Sequence, residues 1–163
     1  MIVKGYIEST LQELEMLYLQ HQSVKKDIYY SKLALLELCG WIEESFDAIV
    51  KTSIIDKLKS EAYKNILKAT IKKNYGFQYS NNFRPMLTKA IGLYKSEKIE
   101  RKIDSSGKVQ VLSTTLGNLK QVRDDNAHTF IRGTTTTVQS PSITISQFQR
   151  IYPIIKEFER EVK

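Results

Sequence analysis

Cysteine occurs once and histidine twice in the 163 residues. A lone thiol, Cys39, excludes an intramolecular disulfide and suits a reducing cytoplasm. Two histidines and one cysteine are too few for a zinc site, and nothing else in the chain calls for a metal or cofactor. The seven glycines form no phosphate-cradling loop of the P-loop or dinucleotide type. Long apolar runs are also missing. Nothing approaches the roughly 20 residues that span a bilayer, and the opening MIVKGYIEST has no signal-peptide core. The expectation is a cytoplasmic protein with no membrane partner. What remains, 41% hydrophobic and 26% charged residues, is the composition of an ordinary globular protein. The length fits one domain, 1–163, large enough for a core without staples.

Positive charge is in excess by seven and is unevenly spread. Residues 51–103 hold 13 Lys or Arg against four Asp or Glu, a balance of +9. Residues 1–50 balance at −4 and residues 104–163 at +2. A concentrated basic region attracts polyanions through counterion release, so nucleic acid is the first partner to consider. Lys57, Lys64, Lys68 and Lys72, interrupted by Glu61, are the candidate RNA-binding stripe. The competing interpretation is a solvated helix face.

Apolar periodicity gives six helical segments. Ile7, Leu11, Leu14 and Tyr18 mark the first. Ile28, Leu35, Leu38, Ile42, Phe46 and Ile49 mark a long second one ending near Val50. Ile55, Leu58, Ala62, Ile66 and Ala69 mark a third, stopped by Gly76. A fourth starts near Asn82, tolerates Pro85 in its first turn, and runs through Leu87, Ile91 and Tyr94 towards Ile103. Asp104-Ser-Ser-Gly107 is a turn. A fifth helix covers about 112–130. Ser146-Gln147-Phe148-Gln149 reads as a capping box opening the last, with Phe148, Ile151, Ile155, Phe158 and Val162 as its seam and a kink at Pro153. The β-branched stretch at about 134–145 is either a short two-stranded β-arm or a loop. The most economical architecture is an all-α, up-and-down helical bundle with one or two added helices.

The fifth helix carries the most informative residues. Leu112, Leu116, Leu119, Arg123, Asn126 and Phe130 keep one seam, so a guanidinium and a carboxamide occupy positions on the packed side. Charge there is costly unless it is paired or serves a site. His128 lies four residues after Asp124, whose carboxylate is placed to orient the ring. Arg123 as a phosphate clamp competes with Arg123 as an ion-pair partner of Asp124, Asp125 or an acid on another helix. Asn126 is placed to bind phosphate oxygens or a partner subunit, and Asp125 to be solvated. Helix capping accounts for His21. Tyr29, Tyr30, Tyr94 and Tyr152 read as core or rim residues, and Trp41 as a helix-packing or dimer contact.

The run Arg123-Asp124-Asp125-Asn126-Ala127-His128, an Arg-x4-His motif with a polar residue after the Arg and a small one before the His, resembles that of the HEPN superfamily. The segment 33–50, with Trp41-Ile42-Glu43-Glu44, is similar to the acidic first core helix of several branches. The resemblance implies a helical bundle of the HEPN type. It also implies a metal-independent endoribonuclease with catalytic Arg123 and His128, supported by Asp124 and Asn126, in a site shared across a homodimer. It further implies a toxin or phage-defence role, with an antitoxin or regulatory partner protein. Phe130 stands where one toxin branch has a Tyr that a partner nucleotidyltransferase modifies. That control therefore does not carry over, and the RiboL-PSP-like branch is the nearer one.

The chemistry agrees with the residue types. RNA carries its own nucleophile, the 2′-OH, so cleavage needs an acid–base group and a cationic clamp for the crowded phosphate. His titrates near neutrality, and the Arg fork donates two parallel charge-assisted bonds. Two further possibilities stay open. One is a catalytically inactive HEPN dimer acting as a nucleotide-binding or protein-interaction module; the other is a basic helical nucleic-acid binder without catalysis.

Overall fold

The computed structural model describes residues 2–20, 23–127 and 138–163. The expectations for His21, His128, Phe130 and the stretch 134–137 lie outside those residues. Seven α-helices, and no strand, are found among the described residues. They are α1 (Gly5–Gln20), α2 (Val24–Ile54), α3 (Glu61–Lys72), α4 (Arg84–Ile91), α5 (Leu93–Ile103), α6 (Lys108–Ala127) and α7 (Pro141–Glu161). None of them is long and apolar enough to cross a membrane.

The long α2 is the axis of an all-helical bundle. Its inner seam of Leu35, Leu38, Ile42, Phe46 and Ile49 is buried, and α1, α3, α4, α6 and α7 all pack on it. Each fully buried side chain of this kind contributes roughly 1.5–3 kcal/mol. Phe46 stacks on Phe83 with centroids 4.1 Å apart, and Phe158 of α7 meets Phe83 edge-on at 5.1 Å. The start of the chain is tied down twice. Trp41 Nε1–H donates to the Val3 carbonyl at 2.9 Å, and the Ile2 amide donates to Glu159 at 2.9 Å. Trp41 also sits edge-on to Phe148 at 5.2 Å, so it is a packing residue within the chain.

Three segments depart from the periodicity. The third helix does not begin at Ile55. Residues Ile55–Lys57 form a single 3-10 turn, Leu58 is extended, and α3 starts only after Ser60. Ala62, Ile66 and Ala69 face out, and Leu67 is the residue of α3 that is buried. The fourth helix is two helices. Gly92, at φ 87°, closes α4 by donating its N–H to the Thr88 carbonyl and starts α5 by accepting the Ser96 N–H at its own carbonyl. Tyr94, expected at the core rim, is consequently 78% exposed on α5, and Tyr29 is 47% exposed on α2. The buried tyrosine is Tyr79, in a π turn (Tyr79–Phe83) that runs into α4.

The β-arm is corrected over its described part, 138–145. Residues 141–145 are the first turns of α7, which opens at Pro141, five residues before the expected capping box. Proline suits a first helical turn because its missing N–H has no partner to lose there. Pro141 and Thr144 are buried and extend the three-and-four seam of Phe148, Ile151, Ile155 and Phe158 backwards. Burial on a helix seam outweighs the β preference of Ile143, Thr144 and Ile145. Helix α7 stays one helix through Pro153, which lies on its exposed side.

Candidate functional site

Helix α6 is set by the turn 104–107. Gly107 takes the left-handed conformation, φ 71°, and the Asp104 carboxylate accepts the Val109 N–H at 3.0 Å, which starts the helix. From there Leu112, Leu116 and Leu119 are fully buried, one turn after another. The same face then delivers Arg123 to the edge of the core, where its side chain is 25% exposed.

Arg123 is held on three sides. Nη1 donates to Glu43 of α2 at 3.2 Å, while Nη2 and Nε donate to Asp124 at 2.8 and 3.0 Å. The guanidinium carbon lies 5.2 Å from the centroid of the Phe77 ring, a cation–π distance. Asp124 also accepts a bond from Lys120. The order Lys120, Asp124, Arg123, Glu43 is thus an alternating chain of charge running from α6 to α2. The Asp124 carboxyl is held below its usual range, first by the Lys120 bond and then by Arg123. Burial pushes the Cys39 thiol, one turn before Glu43, up to about 12, so it is neutral and is not a nucleophile. One turn after Glu43, burial and then the charges of Glu43 and Glu44 raise Asp47 to about 6.

Of the residues expected in the site, Arg123 and Asp124 are brought together, with Asp124 turned to Lys120 and Arg123. The His128 half of the expected Asp–His pair lies outside the described residues. Asn126 is buried, and its Nδ2 donates to the Val122 carbonyl of its own helix at 2.7 Å. That amide nitrogen therefore serves the end of α6, where the expectation was a phosphate or a second subunit. The ion-pair interpretation of Arg123 fits its geometry in the isolated chain. Among the described residues, no group of three or more His, Cys, Asp or Glu is arranged to hold a metal ion.

No protein-family model, curated protein or solved structure matches this chain. What the site does must therefore follow from its own geometry.

The lysine stripe is divided. Lys64, Lys68 and Lys72 share one side of α3, where Glu61 approaches Lys64 at 3.6 Å and Lys68 at 3.3 Å. Lys57 sits apart in the 3-10 turn, close to Lys95, whose ammonium is held below its usual range by burial and then by Lys57. The stripe belongs to a helix that packs on α2 and α4, whereas Arg123 is on α6, which packs on α2, α5 and α7. Two partners of Arg123 were not anticipated. Glu43 had a signal, the acidic run after Trp41, but nothing paired it with a residue 80 positions away. Phe77 had none, since an aromatic in a loop belongs to no helical seam.

Proposed function

We propose that this chain is a metal-independent endoribonuclease of the HEPN type, with a composite site built from Arg123 and His128 of two copies in a homodimer. The observation that carries it is the position of Arg123. It ends an otherwise apolar seam at the surface, and an acid from a second helix and an aromatic ring fix its direction. A guanidinium fixed in this way presents a fork suited to a phosphate at little further cost in side-chain entropy. Glu43 and Asp124 partly neutralise it, so a phosphate displaces or shares one of these carboxylates. In the proposed reaction the 2′-oxygen attacks the adjacent phosphorus and loses its proton to one His128. Arg123 stabilises the phosphorane, and the second His128 protonates the leaving 5′-oxygen. The products are a 2′,3′-cyclic phosphate and a 5′-hydroxyl. A toxin or defence role with a regulatory partner protein follows from the family resemblance.

A second reading has one observation in its favour. Three of the five N–H donors of Arg123 already serve carboxylates, as they would in a structural strut of an inactive interaction module. Purified protein incubated with mixed RNA in EDTA separates the two. His128→Ala and Arg123→Ala should each lower the cleavage rate by roughly 10²–10⁴. Arg123→Lys should not restore it, because a point charge lacks the fork. The double variant should be barely worse than either single one, since both residues act in one step. Cleavage by a folded His128→Ala protein at the wild-type rate would exclude the catalytic assignment. Wild-type inactivity on diverse RNAs selects the interaction module.

A further inference from the structure

The loop 73–78, between α3 and the π turn, presents two rings in opposite directions. Phe77 is buried against Arg123, while Tyr75 is 86% exposed. Beside Tyr75, between α3 and the start of α4, lies a cleft of about 630 Å³, within the range of small-ligand sites. Lys73 and Lys89 reach it from two elements, Asn81 from a third, and Ile66 and Met86 supply apolar wall. No carboxylate among the described residues lines it.

The loop that shapes this cleft is built to hold one form. The Asn82 carboxamide accepts the Gln78 N–H at 3.0 Å and donates to Asn74 Oδ1 at 3.2 Å and to the Tyr75 carbonyl at 3.1 Å. Asn74 in turn donates to the Gly76 carbonyl at 3.2 Å. Gly76 has φ 119°, and a Cβ there would meet Asn82 Oδ1 at 3.2 Å. This polar network fixes the backbone that carries an exposed ring. A solvated ring gains nothing in stability from such fixing, whereas a stacking platform gains preorganisation.

We propose that this cleft holds one nucleotide of a single-stranded RNA, its base on Tyr75 and its backbone phosphate between Lys73 and Lys89, and so delivers the strand to Arg123. The proposal rests on the ribonuclease reading and names where its substrate is gripped. Exposed aromatics beside cations, without acids, are how single strands are held irrespective of sequence. Tyr75 and Phe77 are two residues apart, so their backbones are separated by at most about 7 Å. One rigid loop thus serves both the grip and Arg123. Lys64, Lys68 and Lys72 lie on the opposite side of α3 from the cleft residues Ile66 and Lys73, given about 100° per residue. They therefore act on a strand in the cleft only through the long-range field.

The test is fluorescence anisotropy with a labelled, mixed-sequence 2′-O-methyl oligoribonucleotide, which cannot be cleaved, so binding is read apart from catalysis. Tyr75→Ala should weaken binding roughly 10-fold, and Tyr75→Phe should keep it. Lys73→Gln with Lys89→Gln should reduce the slope of log affinity against log salt by about 0.7, the share of the one phosphate left without its lysines. The exposed pair Lys98→Gln with Arg150→Gln is the charge control. Unchanged affinity in Tyr75→Ala, or an equal loss in the charge control, overturns the cleft. Adenosine monophosphate competing as well as the oligonucleotide would also overturn the strand, since the ligand would then be a free nucleotide. Tyr75-dependent binding by a protein that never cleaves RNA keeps the cleft and removes the nuclease. Cleavage with Tyr75-independent binding does the reverse.

Discussion

Asp47 carries the most consequential charge on α2 outside the Arg123 pairing. Its carboxyl is raised to about 6 by burial and by its acidic neighbours Glu43 and Glu44, against about 3.9 in an unfolded chain. Between those values the folded protein keeps a proton that the unfolded chain has released. Stability therefore falls as pH rises through that window, and the penalty is complete above about pH 6. Asp47→Asn should remove it. In urea titrations the variant should exceed the wild type at about pH 7.5 by on the order of 1 kcal/mol. That figure is well below the nominal shift because the side chain is partly solvated and water screens it. Near pH 4 the two proteins should match, and equal midpoints at both pH values would show that neither burial nor the charges of Glu43 and Glu44 raise the Asp47 carboxyl in the folded protein. At this scale the sequence was legible where a residue broke a pattern. Arg123 stands out because it interrupts Leu112, Leu116 and Leu119. Glu43 and Phe77 do not stand out, because an ion pair across 80 residues and a ring under a guanidinium exist only once α2, α6 and the loop 73–78 have packed.

Helices whose seams are long were legible; their junctions were not. Six apolar positions recurring at helical spacing identified α2, and the seam of α7 was visible from Phe148 onwards. Its first turns were hidden because Pro141 and Thr144 occupy seam positions with residue types that signal loops or strands. The junction at Gly92 was hidden for a different reason. Leu87, Ile91 and Tyr94 keep helical spacing across it, and nothing in that spacing reveals a residue at φ 87° and ψ 159°. That backbone region is essentially restricted to glycine. A Cβ at Gly92 would meet no atom within 4 Å, so the cost of Gly92→Ala is backbone strain alone, about 1–3 kcal/mol. Chemical denaturation should show a lower midpoint with an unchanged m-value. A variant as stable as the wild type would mean that α4 and α5 have joined into the single helix the periodicity predicts, with the gain in helix propensity offsetting the rearrangement.

For the whole molecule the question is what a second copy would cover. The seams of α6 and α7 are spent inside the chain, with Leu112, Leu116, Leu119, Phe148, Ile151 and Ile155 all buried. Apolar residues that keep seam spacing yet face outward occur on α2. Tyr29, Leu33 and Leu36 are 47%, 44% and 42% exposed, and the same side continues through Gly40 to Glu43, the partner of Arg123. A two-fold axis on this stripe would bury it against itself and bring two Glu43–Arg123 pairs towards one another, as a composite site needs. Light scattering should then give about twice the 18.9 kDa chain mass. Leu33→Glu with Leu36→Glu should halve that mass and abolish RNA cleavage while leaving the helical circular dichroism intact, since both side chains are already partly in water. Dimers that survive the double substitution would move the interface off α2. A wild-type protein that is monomeric at micromolar concentration and still cleaves RNA would end the two-copy mechanism, because a single chain offers only one Arg123 and one His128 to a reaction that uses an acid and a base in turn.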